Sequence, residues 1–328
     1  MSLPMWPVGL DELARDADAF DAAVEHTPGI DRFCSSTAWI LPAHEALMGE
    51  REPWILRGED GWVATARVQR QGGAWFLEPL ELAWGLACPI VGDPIEVAPA
   101  FIVAAAATSG WDGMLLAGLA AGSEHERAII AALPHGWRWG RGPTTQRFVA
   151  SLDGGVDGFL GRRSRNFRKA LRAAERDAAA HGITFEEVIA TTPDQALAAL
   201  DRAMAVEQRS WKGQAGVGVA EGPMRDFYTG MVPRLATHRR LRLIVARHAD
   251  RDVAFVLGGV FAGEYRGLQF SFDDAYRRFS LGNLLQLQQI ERLVDEDVLT
   301  YDLGTAMAYK ERWAETVFET EVLVVLRA

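Results

Sequence analysis

The chain has 328 residues, 49% of them hydrophobic and 24% charged, with a formal net charge of −10 at pH 7. This length suits two domains, and this balance suits a globular protein rather than a disordered or fibrous one. It excludes a surface that grips nucleic acid all over; two cysteines, Cys34 and Cys88, are too few for a disulfide framework or a metal site, and no apolar run reaches the length of a membrane span.

The first residues carry early acids and no basic stretch, unlike a signal peptide, so the cytoplasm is the expected compartment. Periodicity predicts helices near Leu10–Glu25, Trp39–Leu47, Pro99–Ala107 and Glu124–Leu133, interleaved with strands at Trp54–Leu56, Gly61–Arg67, Ala74–Leu77 and Met114–Leu116. A strand over Arg147–Leu152 runs into Asp153-Gly154-Gly155-Val156-Asp157-Gly158. That turn-rich stretch sets the expected boundary between domains 1–152 and 153–328.

A helix from about Phe159 to Ala180 opens the second half and stops at His181-Gly182. One side of it is basic (Arg165, Arg168, Lys169, Arg172, Arg176) and the other apolar (Phe167, Ala170, Leu171, Ala174, Ala178). The basic side is either a solvated face or a clamp for cofactor phosphates, an anionic acceptor or an acidic acyl carrier protein. A strand over Thr184–Ile189, a helix from Pro193 and a helix near Met224–Thr237 lead to three strands, Leu241–His248, Val253–Phe261 and Glu264–Ser271. Their short turns make them antiparallel. A strand over Leu299–Leu303, a short helix through Tyr309–Ala314 and a strand over Phe318–Leu326 close the chain.

The most informative segment is Arg277-Arg278-Phe279-Ser280-Leu281-Gly282-Asn283, which opens into an amphipathic helix reaching about Leu293. The first turn of a helix offers backbone N–H groups without intrahelical partners and a partial positive charge, so it welcomes an anion. Two arginines precede the turn, Gly282 lets the backbone approach closely, and no carboxylate appears from Tyr276 until Glu291. Either this is a phosphate cradle, or it is an ordinary connection whose arginines are solvated or paired with Asp273 and Asp274.

The segment resembles the pyrophosphate loop of the GNAT acyltransferase superfamily, Arg/Gln-x-x-Gly-x-Gly/Ala, with Ser280 where the family usually has glycine. More specifically it resembles the cellulose-biosynthesis-type and FemAB-like branch, with Leu281 in place of that branch's proline. Glu207-Gln208-Arg209-Ser210-Trp211-Lys212-Gly213, Tyr301-Asp302-Leu303-Gly304, Tyr309-Lys310-Glu311-Arg312-Trp313 and the helix from Phe159 to Leu171 resemble further elements of that branch, in the same order.

The resemblance implies an α/β (α+β) fold of two GNAT-like lobes, each a mixed, largely antiparallel sheet flanked by helices, with the cofactor site in the C-terminal lobe. It implies transfer from acetyl-CoA or a longer acyl-CoA, without metal, to an amine on a small molecule, amino sugar or peptide. It also implies that Tyr309 protonates the departing thiolate, the alternative being a half-buried tyrosine packed against Trp313. The base is Glu207, if it is not merely ion-paired with Arg209 or Lys212, or else Asp302, which could instead hydrogen-bond its own turn. Trp211, Lys212 and Lys310 are the expected substrate-binding residues. Two further readings stay open: a FemAB-like transferase that takes its donor from charged tRNA, and a non-catalytic scaffold that binds an acyl carrier or protein partner.

Overall fold

The computed structural model describes residues 4–327. The chain divides into two compact units, Met1–Gln146 with Phe318–Ala328, and Arg147–Val317. The boundary expected at 152/153 thus falls at 146/147, and the last strand from Phe318 onward goes with the first unit.

The first unit begins with β1 (Trp6–Val8), α1 (Leu10–Arg15), α2 (Ala17–His26), α3 (Arg32–Ser35) and α4 (Thr37–Leu47). The strands β2 (Glu52–Arg57), β3 (Gly61–Gln69), β4 (Trp75–Pro79) and β5 (Ile90–Gly92) follow, then α5 (Pro94–Ala107), β6 (Gly113–Ala120), α6 (Glu124–Ala132) and β7 (Arg138–Ser151), whose end passes into the second unit. The helix expected over Leu10–Glu25 is broken at Asp16, whose carboxylate is drawn to Arg57. In this unit β2, β3 and β4 form an antiparallel meander and β6 joins β4 in parallel.

The second unit holds α7 (Gly155–Gly161), α8 (Arg165–Ala180), β8 (Ile183–Glu187), α9 (Pro193–Arg209), α10 (Trp211–Gln214) and α11 (Gly222–Thr237). Next come β9 (Leu241–His248), β10 (Arg251–Phe261), β11 (Glu264–Phe272), a 3-10 turn over Asp274–Phe279, α12 (Leu281–Asp295) and β12 (Thr300–Thr305). β13 (Thr316–Leu326) starts here and, from Thr320, pairs antiparallel with β6 of the first unit's own sheet. Strands β8 to β11 are successive antiparallel neighbours, as the short turns predict, and β12 lies parallel to β11.

One helix was expected over Phe159–Ala180, and two are found. Ser164 caps α8 by accepting the Phe167 N–H at 3.2 Å. Arg162 and Arg163, in the gap, turn to Glu315 at 2.9 and 2.5 Å. α12 is buried along Leu284, Leu285, Leu287, Ile290 and Leu293, which pin it to the sheet. Tyr301 of β12 fixes its rotation by donating to Gln286 Oε1 at 3.0 Å. With its axis and rotation both fixed, the N-terminus of α12 is held where β11 ends.

Candidate functional site

The site is organised by the divergence of β11 and β12. Their parallel pairing runs through Glu264–Thr300, Tyr265–Tyr301 and Arg266–Asp302, and stops there. β11 continues to Phe272 while β12 ends at Thr305. Beyond Arg266 the pairing ends, and backbone groups of β11 on that side are free of the β12 ladder.

The expected cradle lies just past the end of β11. Ser280 takes the left-handed conformation, φ 55° and ψ 34°, and is the residue from which α12 springs. The first N–H groups satisfied from within are those of Asn283 and Leu284, both reaching the Ser280 carbonyl, at 2.9 and 3.3 Å. The N–H groups of Leu281 and Gly282 precede any helical carbonyl they could reach. Gly282 is required for packing: a Cβ there would lie 2.8 Å from Cε2 of Phe270.

The two arginines are less available than the sequence suggested. Arg277 pairs with Asp274 at 2.6 Å, while the Arg278 guanidinium stacks 4.4 Å from the Phe279 ring centroid. Asp273 is held by Arg209 and Arg251 at 3.0 and 2.9 Å. Anion attraction at this turn therefore rests more on backbone N–H groups than on these side chains. Phe279 itself is buried.

Behind the cradle lies a cavity of about 300 Å³. Its walls include Phe167, Ala170 and Ala174 of α8, Ser280 and Asn283 of the cradle, and Arg312. The apolar side of α8 thus faces the cradle, and a cation from the chain's closing segment joins it.

Tyr309 sits in a 3-10 turn, Ala308–Lys310, where a longer helix was expected. Its ring meets Phe270 edge-on at 5.7 Å between centroids; the anticipated contact with Trp313 is not the one made. Trp313 is instead a core residue, 1% exposed, stacked on Phe159 at 6.0 Å and edge-on to Phe167 at 4.9 Å. Each such pair adds about 0.5–1.5 kcal/mol beyond burial, which anchors the strap that carries Tyr309 and Lys310. Burial of the ring pushes the Tyr309 hydroxyl up to about 12, so it holds its proton at neutral pH. Burial pushes the Lys310 amine down to about 8, Asp302 opposing and Arg266 assisting; its Nζ donates to the Thr305 carbonyl at 2.9 Å.

Glu207 is fully buried at the end of α9. Its Oε1 accepts from Gln269 Nε2 and the Val219 N–H, each at 3.3 Å, and lies 3.4 Å from Lys212 Nζ. Its Oε2 has no partner among the described residues. Of the two ion pairs considered for it, the one with Lys212 forms. Ser210 makes this possible by donating to the Glu207 carbonyl at 2.7 Å and accepting the Gly213 N–H at 3.3 Å, which folds Lys212 back. Lys212 Nζ also donates to the Phe270 carbonyl at 3.1 Å, and burial lowers its pKa with Glu207 pulling the other way. Trp211, by contrast, is half exposed.

Asp302 is not available as a base. It accepts from buried Arg147, from Arg266 at 3.1 Å and from the Gly304 N–H at 2.6 Å, where the β11–β12 pairing ends. Two guanidiniums and an amide occupy its oxygens and leave no room for a substrate proton.

The residue that sequence reasoning missed is Phe270. Its ring meets both Gly282 and Tyr309, and its carbonyl takes Lys212. The alternation of β11 predicted a strand residue there but could not single it out. Among the described residues no group of three or more His, Cys, Asp or Glu could hold a metal ion, and no helix is long and apolar enough to cross a membrane.

Residues 165–311 match the sequence model of the acetyltransferase (GNAT) domain. The second unit therefore carries an acyltransferase domain of the GNAT type. FemX aligns over 97% of this chain and 97% of its own, at 12% identity and a TM-score of 0.68. A conserved protein of unknown function from Bacteroides thetaiotaomicron VPI-5482 aligns over 99% and 100%, at 12% identity and a TM-score of 0.65. L-PGS from Bacillus licheniformis aligns over 95% and 92%, at 13% identity and a TM-score of 0.55. At these identities the likeness is one of fold, and no curated protein sequence matches the chain. Residues 165–311 thus form an acetyltransferase (GNAT) domain, in a chain whose fold is like that of FemX over nearly its whole length.

Proposed function

We propose that the protein transfers an acyl group from an acyl-CoA thioester to an amine, beyond Arg266 and Asp302 where the β11–β12 pairing ends. The observation that carries this reading is the divergence of β11 and β12 toward the first turn of α12. An extended arm with amide groups fits along the β11 edge, and a pyrophosphate fits the N–H groups of Leu281 and Gly282.

The acceptor nitrogen attacks the thioester carbonyl, the C–N bond forms and the C–S bond breaks. The thiolate takes its proton from the Tyr309 hydroxyl, which is protonated at neutral pH. The ammonium proton leaves toward Glu207 Oε2, directly or through water, with Lys212 holding the other oxygen. No covalent enzyme intermediate is needed, and catalysis rests on positioning and proton transfer. The acceptor class we favour is a small molecule, amino sugar or peptide amine.

The test is thermal stability against acyl-CoA thioesters from acetyl to palmitoyl, with turnover of Tyr309→Phe. A ligand that binds only the folded state raises the melting temperature. A shift with one chain length, and a Tyr309→Phe variant that keeps the shift but loses about 10²-fold or more in kcat, supports the reading. No shift with any thioester sinks it and brings charged tRNA or a non-catalytic scaffold forward.

A further inference from the structure

α8 carries a feature that the transfer reaction does not use. Arg165, Lys169, Arg172 and Arg176 are all exposed, and among the described residues none has a hydrogen-bond or ion-pair partner. Their spacing of four, three and four residues puts them within about 60° of one another around the helix, in a line about 16 Å long. The other cations of the region are engaged: Arg162 and Arg163 with Glu315, Arg168 with the Leu160 carbonyl. Of the acids on this helix, Asp177 lies 3.3 Å from His181, while Glu175 faces Glu291 of α12, whose carboxyl is held up by burial and then by that like charge.

Four unshielded like charges in a row repel one another, and here they do so on a protein of net charge −10. An anionic partner relieves that repulsion. A long polyanion extending past the stripe meets a molecule of net negative charge, whereas a small acidic protein can touch the stripe alone. The stripe also has no aromatic side chain interleaved for base stacking: Ala173, Ala179, Ala180, Arg168, Asn166 and Glu175 flank it, and Phe167 lies on the opposite face. A partner helix with carboxylates at the same spacing matches it residue for residue, because both repeats have the same rise.

We propose that this stripe docks an acidic helical carrier protein that presents the acyl thioester on a phosphopantetheine arm. The arm's role rests on the thioester reading above; the docking does not. The same helix that bears the stripe lines the cavity behind the cradle with Phe167, Ala170 and Ala174. A carrier seated on the outer face has one helix diameter, about 10 Å, to reach round. Its arm is the phosphate and pantetheine portion that an acyl-CoA shares.

The test uses the full-length protein and a purified bacterial acyl carrier protein in apo and holo forms, with a labelled RNA hairpin as competitor class. The charge reversal Arg165→Glu/Lys169→Glu/Arg172→Glu/Arg176→Glu is compared with wild type, and Arg172→Ala/Arg176→Ala serves as a milder variant. Apo carrier is expected to bind wild type, to weaken by about tenfold or more in the reversal and less in the milder variant, and to weaken with salt. Melting temperature and its shift by acyl-CoA stay unchanged in both variants. The proposal is overturned if apo carrier binds wild type and reversal equally, if it binds neither, or if the RNA alone binds and is lost in the reversal. Loss of apo-carrier binding without any acyl-CoA shift in wild type supports the docking and removes the acyl-CoA reading.

Discussion

Replacing Gly282 by alanine probes the point where the proposed cradle and the proposed catalytic tyrosine, Tyr309, meet. The added Cβ lies 2.8 Å from Cε2 and 3.3 Å from Cδ2 of Phe270. Carbon pairs rest at about 3.5–4.0 Å, so the ring must retreat by roughly 1 Å. Tyr309 lies against that ring, and the retreat displaces it too. Overpacking costs about 1–3 kcal/mol, while replacing glycine in a helix returns up to about 1 kcal/mol. The expected net loss is about 1–2 kcal/mol in urea unfolding. A displacement near 1 Å at the reacting groups costs about 10²-fold in rate, so kcat should fall further than stability predicts. In Gly282→Ala/Phe270→Leu the clash is gone, and much of the lost stability should return as coupling between the two sites. If Gly282→Ala is as stable as wild type and turns over as fast, Phe270 does not join cradle to tyrosine as argued.

Ser280→Gly should raise the urea midpoint by the equivalent of up to about 1 kcal/mol, because a left-handed serine is strained and glycine is not; an unchanged midpoint would mean that unfolded-state entropy cancels the relief. Asp302→Asn leaves two buried guanidiniums facing a neutral amide and should cost about 3–5 kcal/mol in chemical denaturation; a loss below about 1 kcal/mol would show that the buried triad contributes little. His125 in the first unit is fully buried, and burial pushes it from 6.5 down to about 4, with the Ile90 backbone opposing. Its lowered folded pKa makes its contribution complete above pH 6.5 and lost as pH falls toward 4, by up to about 3 kcal/mol. Denaturation curves from pH 7 to 4 should show this slope, and His125→Leu should flatten it.

Much of the second unit could be read from local pattern. The helix caps, the antiparallel run of β9 to β11 and the start of α12 each depend on residues close in sequence. The turn that opens α12 was legible for the same reason, and so was the proximity of Lys212 to Glu207, five residues apart. What stayed hidden depends on distant partners. Asp302 looked like a candidate base because its partner Arg147 lies 155 positions earlier, on another strand. Whether Arg277 is solvated or held by Asp274 stayed open for a different reason, since the pair is only three residues apart and sequence does not fix its rotamers. Phe270 gave no signal, since a strand phenylalanine announces burial and not which three neighbours it touches. The break after Gly161 went unread because Arg162 and Arg163 are themselves good helix formers, and Ser164 gave only a single capping signal.

The division of β13 bears on the order in which the protein can assemble. Residues 147–317 are contiguous, so the second unit has all its strands as soon as Val317 is made. The first unit starts earlier in the chain yet lacks the strand that pairs with β6 until Thr320–Leu326 has been synthesised. On the ribosome the later-encoded unit is therefore complete first, and the earlier one holds an open β6 edge in the meantime. A chain ending at Val317 should retain a protease-resistant fragment from the second unit and lose protection across the first.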